Sequence, residues 1–224
     1  MSDPVVEVAY LPMVAGINLE KGEQATIWSD TLTTIAAQPG FIAQYWGFKI
    51  EEPETVQLNV EWDNIESHLN FTQSPAYGPF LEHLTPLLSA RPHLFHVGIS
   101  PSTPLSGPVS APVTECISIF FDSSISRSAY NANIDKFREE GTAKAKDVIG
   151  MANGWVVEGQ THEKVEEGEE GKAVQYTALI GWPSVEAHME FRKTEEFSNV
   201  IGYLRDGPKG LKVHHVAFKK YVKA

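Results

Sequence analysis

The segment WDNIESHLNFTQSPAYGPFL, residues 62–81, recurs in degraded form as WPSVEAHMEFRKTEEFSNVI from residue 182. Tryptophan, a β-branched residue, glutamate, histidine and phenylalanine coincide at Trp62/Trp182, Ile65/Val185, Glu66/Glu186, His68/His188 and Phe71/Phe191, every pair 120 residues apart. Five coincidences within ten positions at one offset mark an internal duplication. The chain is therefore read as two copies of one unit.

Outward from that segment, the first copy reads as alternating strands and helices. Val5 to Met13 is apolar and β-branched enough for a strand. Glu23 to Gln38 carries Ala25, Ile27, Trp28, Leu32, Ile35 and Ala36 at helical spacing, and Pro39-Gly40 stops it. FIAQYWGFKI is a second strand, and the polar EEPE turn leads into a third, Thr55 to Trp62. Asp63, with Glu66 three residues on, is expected to cap the helix that follows. Ser74-Pro75 interrupts that helix, because proline lacks the donor a helix interior needs, and a second short helix from near Ala76 carries Tyr77, Phe80, Leu81 and Leu84. HLFHVGI, residues 93–99, is the fourth strand.

The order is β-α-β-β-α-β, the ferredoxin-like split unit. Residues 101–113, PSTPLSGPVSAPV, hold four prolines and no charge, the composition of an extended linker. The same order then repeats. TECISIFF is a strand, Tyr130 to Ile149 a helix, WVVEGQ and AVQYTALIGW two strands, and KVHHVAFKKY the last. The acidic run EKVEEGEEG, residues 163–171, reads as a solvated hairpin tip. The predicted fold class is α+β, two tandem ferredoxin-like domains at 1–100 and 114–224 joined by the linker 101–113.

A chain of 224 residues with 42% hydrophobic content is long enough to bury a substantial core. Its 29 acidic and 18 basic side chains give a net charge of −11, which repels phosphate backbones and anionic lipid, so neither nucleic acid nor membrane is an expected partner. The single cysteine, Cys116, can form no internal disulfide, and MSDPVVEVAY has neither a basic leader nor a long apolar run. A cytoplasmic location is expected.

With two split units, each led by a W-x2-[IV]-E-x-H-x2-F helix, the chain resembles a tandem member of the dimeric α/β-barrel superfamily, in its antibiotic biosynthesis monooxygenase-like branch. The residues that carry the resemblance are Trp62 followed by Ser74-Pro75 and Phe80, and Trp182 followed by Phe191 and Phe197. The resemblance implies two sheets paired face to face, closed here within one chain, as a monomer or weak homodimer with a ligand cavity between sheet and helices or in the lumen. The same fold hosts oxygenases, haem degraders, cyclases and isomerases. Relatives with oxygenase chemistry tend to place a histidine nine or ten residues after the tryptophan, where this chain has Phe71 and Thr72, so that role is not carried across. Plant-type polyketide cyclases of the fold show His-Pro-Ala-His where Ser74-Pro75-Ala76-Tyr77 stands. Proline and alanine match, and Tyr77 offers a phenol instead.

At about 100° per residue, Ile65, His68, Leu69 and Phe71 fall within an arc about 160° wide, which places His68 on the apolar face of its helix. A buried imidazole needs a partner. In the plain reading His68 and His188 donate to backbone carbonyls of neighbouring strands; in the sharper one they act as general base or axial haem ligand. Alternation along the fourth strand sets His96 and Gly98 opposite Phe95, Val97 and Ile99, and the same count puts His215 with Ala217. His96 and His215 are thus expected to face the barrel lumen, with His214 under a helix. Asn59 and Glu61 would join them there. Two histidines without further ligands make a poor metal site, and no metal is expected.

The expected activity, drawn from the resemblance, is cofactor-independent oxidation or rearrangement of a small aromatic or polyketide-like molecule in the first half. Tyr77 would polarise a carbonyl and His68 or His96 would move the proton, between walls of Trp46, Trp62, Phe71 and Phe80. Tyr77 has Phe197 as its counterpart, which favours the first half. The alternatives are a haem-binding protein using His68 or His188, and a non-enzymatic stress or assembly module whose pockets are filled by their own side chains.

Overall fold

In the computed structural model, which describes residues 3–100, 102–142, 145–165 and 172–222, the apolar run at the start of the chain forms β1 (Val5–Pro12). It is followed by α1 (Gly22–Ala36), β2 (Phe41–Phe48), β3 (Thr55–Trp62), α2 (Ile65–Thr72), α3 (Tyr77–Leu84) and β4 (His93–Ile99). The chain divides into two units, one of Met1–Gly98 with Phe218–Ala224 and the other of Ile99–Ala217. In the first, the antiparallel ladders set Val5 opposite Trp62 and Glu7 opposite His96, so β1 lies between β3 and β4. Trp28, Leu32 and Ile35 of α1 pack on Val56, Leu58, Val60 and Trp62 of β3 to form the core.

Two local features set the angle at which α2 leaves the sheet. Gly40 has φ +82°, and a Cβ there would lie 2.3 Å from Ser67 Oγ and 2.4 Å from Asp63 Oδ1, so only glycine fits this approach of α1's exit to α2. The cap of α2 is Asn64 rather than the expected Asp63: Asn64 is the last extended residue, and its Oδ1 accepts the Ser67 backbone N–H at 2.9 Å. Asp63 instead accepts the Ser67 hydroxyl at 2.6 Å.

The second unit repeats the order with β5 (Val113–Phe121), α4 (Arg127–Lys136), β6 (Met151–Val156), β7 (Val174–Trp182), α5 (Val185–Phe191), α6 (Glu195–Arg205) and β8 (Gly210–Val216). Val113 pairs with Trp182 and Glu115 with His215, the same register as in the first unit. Tyr130, Ile134 and Phe137 pack on Ile117, Ile119, Tyr176 and Ile180.

The helix expected to run to Ile149 ends instead in a π-helical turn, Phe137–Thr142. Ile149 N–H donates to Gly181 O and Gly181 N–H to Gly150 O, both at 2.9 Å, so this backbone extends the β7 ladder and cannot also be helical. The expected extended linker is partly folded: Pro108–Ser110 form a 3-10 turn with Val109 buried, and Thr114 Oγ1 donates to Pro108 O at 2.9 Å. The single strand expected over KVHHVAFKKY is broken after Val216. A two-residue strand, β9 (Lys219–Lys220), pairs with Tyr45 and Trp46 of β2 and so belongs to the first unit. The glycine- and glutamate-rich end of the acidic run, residues 166–171, lies outside the described residues. Among those described, no helix is long and apolar enough to cross a membrane.

Candidate functional site

Glu7 sits in the middle of the apolar stretch VVEVA, on the same face of β1 as Val5, Ala9 and Leu11, which belong to the helix-side core. A carboxylate in that position needs partners. The register supplies them. Trp62 Nε1 donates to Glu7 Oε2 at 2.9 Å, and His68 Nε2 stands 3.5 Å from the same oxygen. His68 Nδ1 shares a 2.7 Å hydrogen bond with His96 Nε2, and its ring stacks on Trp62 at 5.4 Å and 20°. The result is a buried carboxylate–indole–imidazole–imidazole chain drawn from β1, β3, α2 and β4.

This arrangement corrects three expectations. His68 pairs with the side chains of His96 and Glu7. His96 points toward the helices, opposite Glu7, rather than into a lumen, and His215 does the same opposite Glu115, which leaves His214 on the other face. The strand parity was right, but its assignment to faces was inverted, because Val6, Val8, Phe95 and Val97 on the far side are as buried as the core and apolarity there does not mark the helix side. Asn59 and Glu61 alternate with Leu58, Val60 and Trp62 and so lie across the sheet from His68. There Asn59 accepts from Gln57 at 3.0 Å, and Glu61 sits beside Tyr45.

Beside Glu7 and His68 the first unit encloses a cavity of about 1000 Å³. Trp62, Phe71, Tyr77 and Phe80 line it, together with Ala9, Trp28, Leu58 and Leu84. Trp46 does not: it packs edge-on behind Trp28 at 5.3 Å. Phe71, Tyr77 and Phe80 form a mutually packed aromatic wall with centroids 5.2 to 5.7 Å apart. Burial, and then the negative charge of Glu7, push the Tyr77 phenol above its ordinary range, so it stays a neutral donor. Both contacts of the Glu7 carboxylate use Oε2, and Oε1 has no hydrogen-bond partner among the described residues.

The second unit holds a complete copy with a different outcome. Trp182 Nε1 donates to Glu115 Oε2 at 3.1 Å, His188 Nε2 lies 3.4 Å from Oε1, and His188 Nδ1 is 2.8 Å from His215 Nε2. Both carboxylate oxygens are engaged, and the adjoining cavity is only about 100 Å³. The shared register makes Ile117 the counterpart of Ala9, and its larger side chain occupies the space. Burial pushes Glu115 up to about 7, against the Trp182 hydrogen bond and the charge of Arg192. Sequence reading missed both glutamates, although a signal existed: each is the one acid inside an apolar first strand, in V-E-V and T-E-C, at the same distance from the duplicated tryptophan's ladder partner.

The residues present do not fit a haem. His68 has Nδ1 bonded to His96, Nε2 directed at Glu7 and one face against Trp62, and His188 is held in the same way. An axial bond would require dismantling either cluster. Among the described residues, no group of three His, Cys, Asp or Glu is arranged to hold a metal ion.

No family model matches this sequence, and no curated protein matches it either. Solved structures do match, over nearly full length. An anthrone oxidase-like protein superposes with a TM-score of 0.63 at 11% identity, covering 98% of this chain and 94% of its own. A candidate monooxygenase from Lactobacillus acidophilus NCFM gives 0.61 at 12% identity, covering 98% and 96%. Another, from Fusobacterium nucleatum subsp. nucleatum ATCC 25586, gives 0.58 at 9%, covering 100% and 99%. Likeness at this level of identity establishes the fold alone, an α+β fold with two ferredoxin-like units in one chain.

Proposed function

We propose that the first unit binds a planar aromatic or polyketide-like molecule and oxidises it with molecular oxygen without a bound cofactor. The observation that carries this reading is the open oxygen of Glu7 in a cavity of about 1000 Å³, set against the fully engaged Glu115 at a cavity of about 100 Å³. The first volume holds a fused-ring ligand, and the second does not. The likeness in fold to an anthrone oxidase-like protein supports the same class.

In this reading Glu7 is the general base. It takes a proton from a ring carbon activated by an adjacent carbonyl, while Tyr77 donates to the carbonyl oxygen and stabilises the enolate. The enolate gives an electron to oxygen, and the radical pair joins to form a peroxide. The peroxide breaks its O–O bond, loses the second ring proton with water, and leaves a new carbonyl, so one oxygen molecule converts one methylene into one carbonyl and one water. The His68–His96 pair beside Glu7 offers the abstracted proton a second resting place. The second unit fits the non-enzymatic reading and serves as the structural half.

Anthrone in air-saturated buffer provides the test. The protein should accelerate anthraquinone formation over the buffer rate with equal uptake of oxygen, and Glu7→Gln should reduce the acceleration about a hundredfold or more. No acceleration with anthrone or with hydroxylated anthrones, or full activity in Glu7→Gln, would overturn the proposal.

A further inference from the structure

The cavity of the first unit is bipolar. Among the residues that line it only Glu7 and Arg91 are formally charged. Glu7 pairs across the ladder with His96, and Arg91 lies five residues earlier, two before the start of β4, a chain distance of up to about 16 Å at about 3.3 Å per residue. The wall between them is apolar and aromatic, with Leu58, Phe71 and Leu84. Arg91 has neither a salt bridge nor a hydrogen bond among the described residues, in a chain whose 29 acidic side chains outnumber its 18 basic ones. The second unit's small cavity has its arginines, Arg192 and Arg205, on other elements and keeps no cation at the position of Arg91. Counting back from His215 puts Gly210 at the equivalent place, and the neighbouring Lys209 is paired with Asp122 at 3.0 Å.

Resting on the oxygenase reading of the same cavity, we infer that its ligand is an aromatic acid, with a carboxylate at the end remote from the reacting carbon, bound by Arg91. The guanidinium fork matches a carboxylate in two parallel hydrogen bonds. The ring system then extends toward Glu7 along the aromatic wall. Arg91 sets orientation: it decides which ring carbon reaches the base. A neutral hydrocarbon of the same shape would bind without a preferred direction.

Fluorescence titration of the intact protein with anthracene-2-carboxylate and with neutral anthracene-2-methanol tests this. The wild type should prefer the carboxylate by about tenfold, the size of a partly exposed charge-assisted contact. Arg91→Gln should abolish that preference and leave the affinity for the methanol unchanged, and Arg91→Lys should retain part of it. Equal affinity of the wild type for both probes, or a preference that survives in Arg91→Gln, overturns the role of Arg91 alone. Binding of neither probe overturns the aromatic site itself, and this inference with it.

Discussion

Glu7 and Glu115 occupy one position in two environments. Both accept from a tryptophan and face a histidine, yet the first borders a large cavity and the second is closed in by Ile117 and its neighbours. For Glu115 the consequence is a stability that depends on pH. Its folded value of about 7 lies above the ordinary 4.5, so the folded protein keeps a proton that the unfolded chain releases. Full stability is present below about pH 4.5, and it is lost progressively as pH rises to about 7, at up to about 1.4 kcal/mol per unit. Glu115→Gln keeps an acceptor for Trp182 and removes the titration. Thermal melts of the variant should therefore fall less between those pH values than wild-type melts do, and parallel curves would disprove the assignment.

The elements that position the site are set by short-range signals that the sequence states unevenly. Helix α2 starts one residue later than its acidic pattern suggests, because Asn64 and Ser184 both cap while the residues before them are Asp63 and Pro183. The duplication itself held the answer, since proline has no capping side chain and the two copies share one geometry. Asn64→Ala should cost about 1 kcal/mol, which lowers the melting temperature by about 2–4 °C in a chain of this size. Asp63→Ala should cost less, and circular dichroism melts of the pair would rank them. The order of the strands and the break at Ser74-Pro75 were legible from periodicity and proline chemistry, whereas the strand expected over WVVEGQ, residues 155–160, is β6 at Met151–Val156. The facing of His96 and His215 was not, because alternation gives parity and only burial on one side tells which parity points inward. Glu7 escaped notice for a related reason: an acid inside an apolar strand explains itself only when its partners, 55 and 61 residues away, are in place.

At the scale of the whole molecule, one duplicated frame carries an open half and a filled half. The difference is concentrated where Ala9 in one unit answers to Ile117 in the other. Ala9→Ile should close the first cavity and abolish binding of an aromatic probe with little loss of thermal stability, because the second unit shows that this scaffold accommodates isoleucine there. If Ala9→Ile binds as well as wild type, the cavity beside Glu7 is not where the ligand sits. The first half was favoured at the level of sequence by Tyr77 against Phe197, and the structure adds the volumes.

The short strand β9 has a further meaning for how this protein is made. Residues 218–222 complete the edge of β2, where Tyr221 N–H donates to Gln44 O at 3.0 Å and its hydroxyl lies 3.0 Å from Thr33 Oγ1. The second unit is therefore synthesised before the first unit receives this β partner. A first unit cut off before residue 218 would be left with a bare edge at β2.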